Sequence, residues 1–213
     1  MLTAGAADDM RDDDVARPAE VRQAAAPTSS RQAARRVRIL GAAAELGARE
    51  GLASVQMHDV AKEAGVAIAT LYRYFPSKPY LFLSVLEWHI DQFLGDRDTG
   101  PAADEATDPA AEVAETLIAL SAKLLGSPLL ASAVALSSFT EYASAVPTQI
   151  DIVERSLGQR LLHLLGDRTD ARSKVRLLVY TWWGLFVAML TEEISTGQGE
   201  ADLWLAARLV TAP

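Results

Sequence analysis

The chain predicts an all-α fold in two parts, a small head of three helices followed by a longer helical body. Three observations carry this. Apolar residues recur at helical spacing from Ile39 to Val210, and no segment shows the strict alternation of a strand. Pro76, Pro109, Pro128 and Pro147 fall between the periodic segments, where a residue lacking an amide hydrogen ends one helix or opens the next. Half of the 213 residues are hydrophobic, ample for a packed core in one large or two modest domains.

Residues 1–29 mix Ala, Asp, Arg and Pro without an apolar period and are expected to form a disordered acidic tail. The head is expected over 30–77. Thr28, Ser29 and Ser30 are good capping residues ahead of a helix of about 20 residues. Ile39, Ala42, Ala43 and Leu46 give that helix an inner face, and Gly51 stops it. A short helix then runs from Met57 to Ala64, a turn holds Gly65, and a second helix runs from Ile68 to Phe75 before Pro76. Val60, Ala61, Ala64, Leu71 and Phe75 face inward at this spacing. Thr70, Arg73 and Tyr74 are left facing outward, with Tyr72 at the flank. Two short helices about a glycine turn are the outline of a helix-turn-helix, whose second helix enters the DNA major groove. Hydroxyls and a guanidinium are side chains that reach phosphates and base edges.

The formal charge of -8 argues against nucleic-acid binding, but its distribution argues for it. Residues 1–30 carry six acids and three bases, 31–78 four acids and eight bases, and 79–213 eighteen acids and nine bases. The excess of positive charge therefore gathers in the segment holding the motif, as attraction to phosphates requires.

On RILGAAAELGAREG (38–51), HDVAKEAGV (58–66) and TLYRYFPSKPYLF (70–82), the run from about Arg36 to Leu83 resembles the DNA-binding domain of the TetR family of one-component transcriptional regulators. Ala67 departs from the serine common there as a cap, Ala69 from a glycine, and Gln56 from a threonine. These changes weaken the helix caps, because alanine offers no oxygen to free amides. The resemblance implies that the first helix starts near the DNA backbone, with Arg35, Arg36 and Arg38 placed to meet it. It implies phosphate contacts from Thr70, Tyr72, Tyr74 and Lys78. Gln56, His58, Ile68 and Arg73 complete the contact set, the last three nearer the bases.

The body is expected over 78–213. Ser77 caps a helix of residues 78–95, whose Leu81, Val85, Leu86, Trp88 and Phe93 cover more than one face. Asp96 to Asp108 is an acidic loop; Asp96 and Asp98 begin a D-x-D pattern whose remaining calcium ligands are out of place, so no metal site follows. Further helices are expected over 109–125, from Pro128 to Ala143, from Pro147 to Gly166, over 171–195 and over 199–211. The helix of 171–195 is apolar nearly all round, yet Arg176, Glu192 and Glu193 bound a run too short for the ~20 residues of a membrane span. It must be covered on every side. Its large residues (Trp182, Phe186) then face the interior and its small ones, Thr181, Gly184 and Ala188, face a second copy. The resemblance adds that the last two long helices form a four-helix homodimer bundle, which brings in Leu203 and Ala207.

The aromatic group Phe139, Tyr142, Tyr180, Trp182, Trp183 and Phe186 reads first as core packing. In a TetR-like body some of it lines a cavity for a small hydrophobic effector of fatty-acyl or steroid-like kind, together with Trp88, Phe93, Leu117 and Leu120. Ser137, Ser138, Thr140 and Glu141 are the polar candidates there. Chemistry of other kinds has no footing. His58, His89 and His163 show no H-E-x-x-H pairing, and there is neither a nucleophile elbow nor a phosphate loop, so no enzyme and no cofactor are expected. No cysteine is present to form disulfides or thiolate metal sites. The N-terminus lacks an apolar run behind a basic start, so a cytoplasmic protein is expected. The reading is a homodimeric repressor of a near-palindromic operator, released by its effector. The rival is a helical small-molecule-binding or scaffold protein without DNA function.

Overall fold

A computed structural model describes residues 29–98, 108–143, 154–166 and 169–212. The expected tail lies outside the described residues. Among those described, the elements are helices only: α1 (Ser30–Ser54), α2 (Met57–Glu63), α3 (Ile68–Tyr74), α4 (Lys78–Asp98), α5 (Pro109–Leu125), α6 (Pro128–Ala143), α7 (Ser156–Leu165), α8 (Ala171–Leu190) and α9 (Thr196–Thr211).

The local chemistry of the chain explains most of these limits. Ser29 Oγ accepts from the amide of Gln32 at 3.3 Å to open α1. Gly51, at φ 71° and ψ 169°, breaks the helix near its end in a conformation that only glycine adopts cheaply. Gly65, at φ 62°, makes the turn between α2 and α3. Gln56 and Ala67, the residues before those two helices, make no side-chain cap. Ser77 Oγ accepts from the amide of Tyr80 at 3.0 Å to open α4. Asp108 Oδ1 caps α5 at 3.0 Å, and Ser195 Oγ accepts from Gln198 at 3.1 Å in the first turn of α9.

Several boundaries differ from those the spacing predicts, α9 among them, which begins at Thr196 rather than 199. α4 continues to Asp98, into the stretch expected as a loop. The described part of the third body helix begins at Ser156, because Arg155 is extended (ψ 159°) and turns its side chain to α4; the start expected at Pro147 lies outside the described residues. α8 ends at Leu190 rather than 195. Glu192 takes φ 59°, and the amides of Glu192 and Glu193 close on the carbonyls of Met189 and Ala188, a Schellman ending that spends a non-glycine residue in the left-handed region.

In the head, α1, α2 and α3 pack on Ile39, Leu40, Ala43, Val60, Ala61, Leu71 and Phe75, all essentially inaccessible. The same core runs on through Leu81, Phe82 and Val85 of α4 and Val134 of α6 into the body. Gly47 of α1 allows the close crossing: a Cβ there would lie 2.6 Å from Phe82 and 3.0 Å from Leu130. Head and body thus share one apolar core with α4 passing between them. Among the described residues, no single helix is long and apolar enough to cross a membrane.

Candidate nucleic-acid interface and ligand cavity

The head presents α3 with one face packed and one free. Ile68, Tyr72 and Arg73 are exposed, as are Gln56 and His58 at the start of α2 and Arg38 on α1. Thr70 is half-buried. These residues surround the solvent-facing side of α3, as a groove-entering helix requires.

Three expected contacts are placed differently. Tyr74 is turned inward, 3% exposed, and its hydroxyl is buried without a partner. Residue 74 lies three positions from Leu71 on a seven-residue helix, so the inner face of α3 takes it along with Leu71. Arg73 covers it, its guanidinium 5.4 Å from the Tyr74 ring centre. Lys78 is occupied in a second way, its Nζ donating to the carbonyl oxygens of Leu52 at 2.8 Å and Val55 at 3.0 Å. It closes the end of α1 beyond the Gly51 break, where carbonyls are left without helical partners. Arg36 is half-buried and lies 5.5 Å from the centre of the Phe75 ring, stacked on the inner end of α3.

The body holds a cavity of about 290 Å³. Leu83, Leu86, Glu87, Ile90 and Asp91 of α4 form one wall; Val179, Tyr180, Trp182 and Trp183 of α8 form another; Ser138 of α6 and residues 154–157 close it. Of the aromatic group expected there from sequence, Tyr180 and Trp183 line it, and so does Trp182. Its ring is held rigidly, with Nε1 donating to Ser121 Oγ at 3.0 Å and Phe186 stacked behind at 6.0 Å. Phe186, Leu117 and Leu120 are fully buried in the core instead, and Phe93 is buried under Arg97 and Lys123. Trp88 is half-buried with its indole N–H unpartnered, beside the His89 ring at 5.1 Å and away from the cavity wall. Phe139 is 54% exposed on the outside of α6. The side chain of Tyr142 lies outside the described residues. Among the polar candidates whose side chains are described, Ser138 lines the cavity, its hydroxyl donating to the Val134 carbonyl at 2.9 Å; the side chain of Glu141 lies outside the described residues.

Sequence reasoning missed the residues that define the cavity's polar rim. Arg155 pairs with Glu87, Ser156 Oγ donates to Asp91, and Arg172 holds Glu154 at 2.6 Å. Burial pushes the Glu87 carboxyl above its usual range, while the Arg155 and then the Arg36 guanidinium pull it back. The available signal was the spacing of Leu83, Leu86, Glu87, Ile90 and Asp91, which share one face of α4.

A further surface is apolar and uncovered among the described residues. Leu177 and Tyr180 of α8 are each 60% exposed, Leu205 and Leu209 of α9 52% and 69%. Thr181 and Gly184 are exposed on the same face of α8, with Ala188 half-buried beyond them. Leu203 and Ala207, expected at this surface, point the other way and are buried against the protomer's own core. The outward face of α9 is carried by Leu205 and Leu209, one turn apart.

Residues 39–85 match the family model described as bacterial regulatory proteins, tetR family. The chain is 31% identical over 185 residues to the HTH-type transcriptional repressor KstR of Mycobacterium tuberculosis, covering 85% of this chain and 83% of that protein. It is 30% identical over 171 residues to the KstR repressor of Rhodococcus jostii, covering 79% of this chain and 78% of that one. A solved TetR transcriptional regulator from Rhodococcus sp. RHA1 is similar with a TM-score of 0.69 at 37% identity, over 83% of this chain and 96% of that one. BioQ, solved with its natural double-stranded DNA operator, shares the fold at a TM-score of 0.57 and 22% identity, over 84% of this chain and 98% of its own. With the basic three-helix head, the exposed face of α3 and the helical body all in place, the chain belongs to the TetR family of bacterial transcriptional regulators.

Proposed function

We propose that the protein is a cytoplasmic, homodimeric repressor that binds a near-palindromic operator and leaves it when a small hydrophobic effector of fatty-acyl or steroid-like kind fills the cavity of the body. The observation that carries this reading is the position of α4. Its first turn is tied to the head through Lys78, and its next turns form a wall of the cavity. A molecule seated against Leu83, Leu86 and Ile90 thus presses on the helix that sets where the head points. At about 290 Å³ the cavity lies at the small end of ligand sites, and a larger effector would press its walls apart, α4 among them.

Two copies joined through α8 and α9 would cover Leu177, Tyr180, Leu205 and Leu209 and set two α3 helices about 34 Å apart, one turn of DNA. Arg38, Gln56, His58, Ile68, Thr70, Tyr72 and Arg73 are then the contact set, and Arg36, Lys78 and Tyr74 hold the head together from behind. Effector binding needs to favour the detached state by only a few kcal/mol to release DNA.

A gel shift with the DNA upstream of the protein's own gene, read at two salt concentrations, tests this. Retention of that DNA over a scrambled duplex, weakening steeply with salt, is expected. No preference for the upstream DNA at low salt would leave the rival reading, a binding or scaffold protein without DNA function.

A further inference from the structure

The rim of the cavity carries mostly negative charge. Glu87, Asp91 and Glu154 line it, and Arg155 is the cation lining it among the described residues. Arg155 is already committed to Glu87. Glu154 is held from outside by Arg172, and Arg160 and His163 stand with Asp91 around the adjoining depression rather than in the cavity. Below the rim the walls are apolar: Leu83, Leu86 and Ile90 face Val179, Trp182 and Trp183.

We propose that the cavity selects an apolar molecule whose polar end is an uncharged hydrogen-bond donor, a hydroxyl above all, over the same molecule ending in a carboxylate. This rests on reading the cavity as the effector site, and it narrows the fatty-acyl or steroid-like class to its alcohols. A carboxylate reaching the rim meets Arg155 as the cation among the described lining residues, and taking it strips it from Glu87. That leaves a half-buried carboxylate unpaired, with a second one brought against it, and both changes are unfavourable. A hydroxyl requires no exchange. Ionised carboxylates have about four acceptor positions each, so Glu87 and Asp91 can keep Arg155 and Ser156 and still accept from a ligand. A hydrogen bond to a charged acceptor is roughly twice as strong as one between neutral groups. Trp182 and Trp183 bring a reporter to the wall.

The test is a tryptophan-fluorescence titration of the intact protein with decanol and with decanoate, repeated on Glu87→Gln and on Asp91→Asn. Decanol is expected to bind at least about tenfold more tightly than decanoate, and the preference is expected to shrink to within a few-fold in at least one variant. Equal or tighter binding of decanoate overturns the proposal. So does binding of neither probe, or a preference that both variants leave intact. A gel shift of the ligand-free protein on its upstream DNA, run alongside, separates the two readings. Head-group selectivity without DNA binding keeps this inference and removes the regulator; DNA binding without selectivity does the reverse.

Discussion

Tyr72 and Tyr74 stand two residues apart and do opposite work. Tyr72 is 42% exposed beside Arg73, whereas the Tyr74 ring is packed and its hydroxyl has no partner. Replacing Tyr72 with alanine is expected to weaken operator binding about tenfold or more, since a hydrogen bond to a charged group contributes about 1.5–3 kcal/mol. Dimerisation should be unaffected, as sedimentation would check. Tyr74→Phe removes only a buried, unsatisfied hydroxyl. Operator affinity should hold and stability should rise by up to about 1 kcal/mol in urea unfolding; a loss of DNA binding in that variant would return Tyr74 to the interface. Arg73→Ala should cost about 1–3 kcal/mol of operator affinity and relax the preference at the base pair it meets, read by competition with singly substituted duplexes. His89 gives a pH-dependent case. Burial, then the nearby charge of Lys123, holds its pKa below 6.5. The unfolded chain thus binds the proton first, so the stability contributed by the neutral ring is present above pH 6.5 and is lost as pH falls through 6.5 toward the folded value. Glu87 works in the opposite sense and at lower pH. Its folded pKa lies above 4.5, so its contribution falls as pH rises from 4.5 through the folded value. A His89→Phe variant should therefore show a smaller drop in Tm than the parent between about pH 7 and 5.5, and an unchanged drop would place the titration elsewhere.

At the scale of elements, α1 and α4 cross where Gly47 meets Phe82, and α8 and α9 close where Gly199 meets Met189, 2.3 Å from a Cβ built there. Gly47→Ala should cost about 1–3 kcal/mol by overpacking the shared core, measured by denaturant unfolding, and an unchanged midpoint would show that Phe82 yields freely. Helix existence and the head motif were legible in the sequence because Gly51, Gly65, Pro76 and the capping Ser77 act locally. The inner face of α3 was read correctly at Leu71 and Phe75 and incorrectly at Tyr74, since a seven-residue helix offers too few turns to assign a flank by period alone. The cavity was legible only in outline. The aromatic residues of α8 were visible, but which of them meets open space depends on how α4 and α8 are spaced, and that is a property of the packed core. Glu87, Asp91 and Arg155 were hidden for the same reason: Arg155 reaches across from a distant stretch of chain. Leu203 and Ala207 were placed at the partner-facing side because an apolar residue on a helix fits either of two buried sides equally well.

In the whole molecule, one continuous core joins a head that faces solvent with Tyr72 and Arg73 to a body that encloses a cavity, and α4 belongs to both. Glu87 is paired with the cavity-lining Arg155, and the charge of Arg36 in the head also lowers its carboxyl pKa against the effect of burial. Cavity and head therefore share α4, whose Lys78 ties to the end of α1 and whose Leu83, Leu86 and Ile90 line the cavity, so a change at one has a contiguous physical route to the other. Because the chain contains no cysteine, a single spin label can be placed by Glu63→Cys on the exposed end of α2, and the distance between the two labels of a dimer can be read by pulsed electron resonance. With the upstream DNA bound, a narrow distance distribution is expected, which shifts or broadens when decanol fills the cavity. A distribution that decanol occupancy does not alter, or the absence of any dipolar signal from a chain that stays monomeric, would contradict a paired head worked from the cavity.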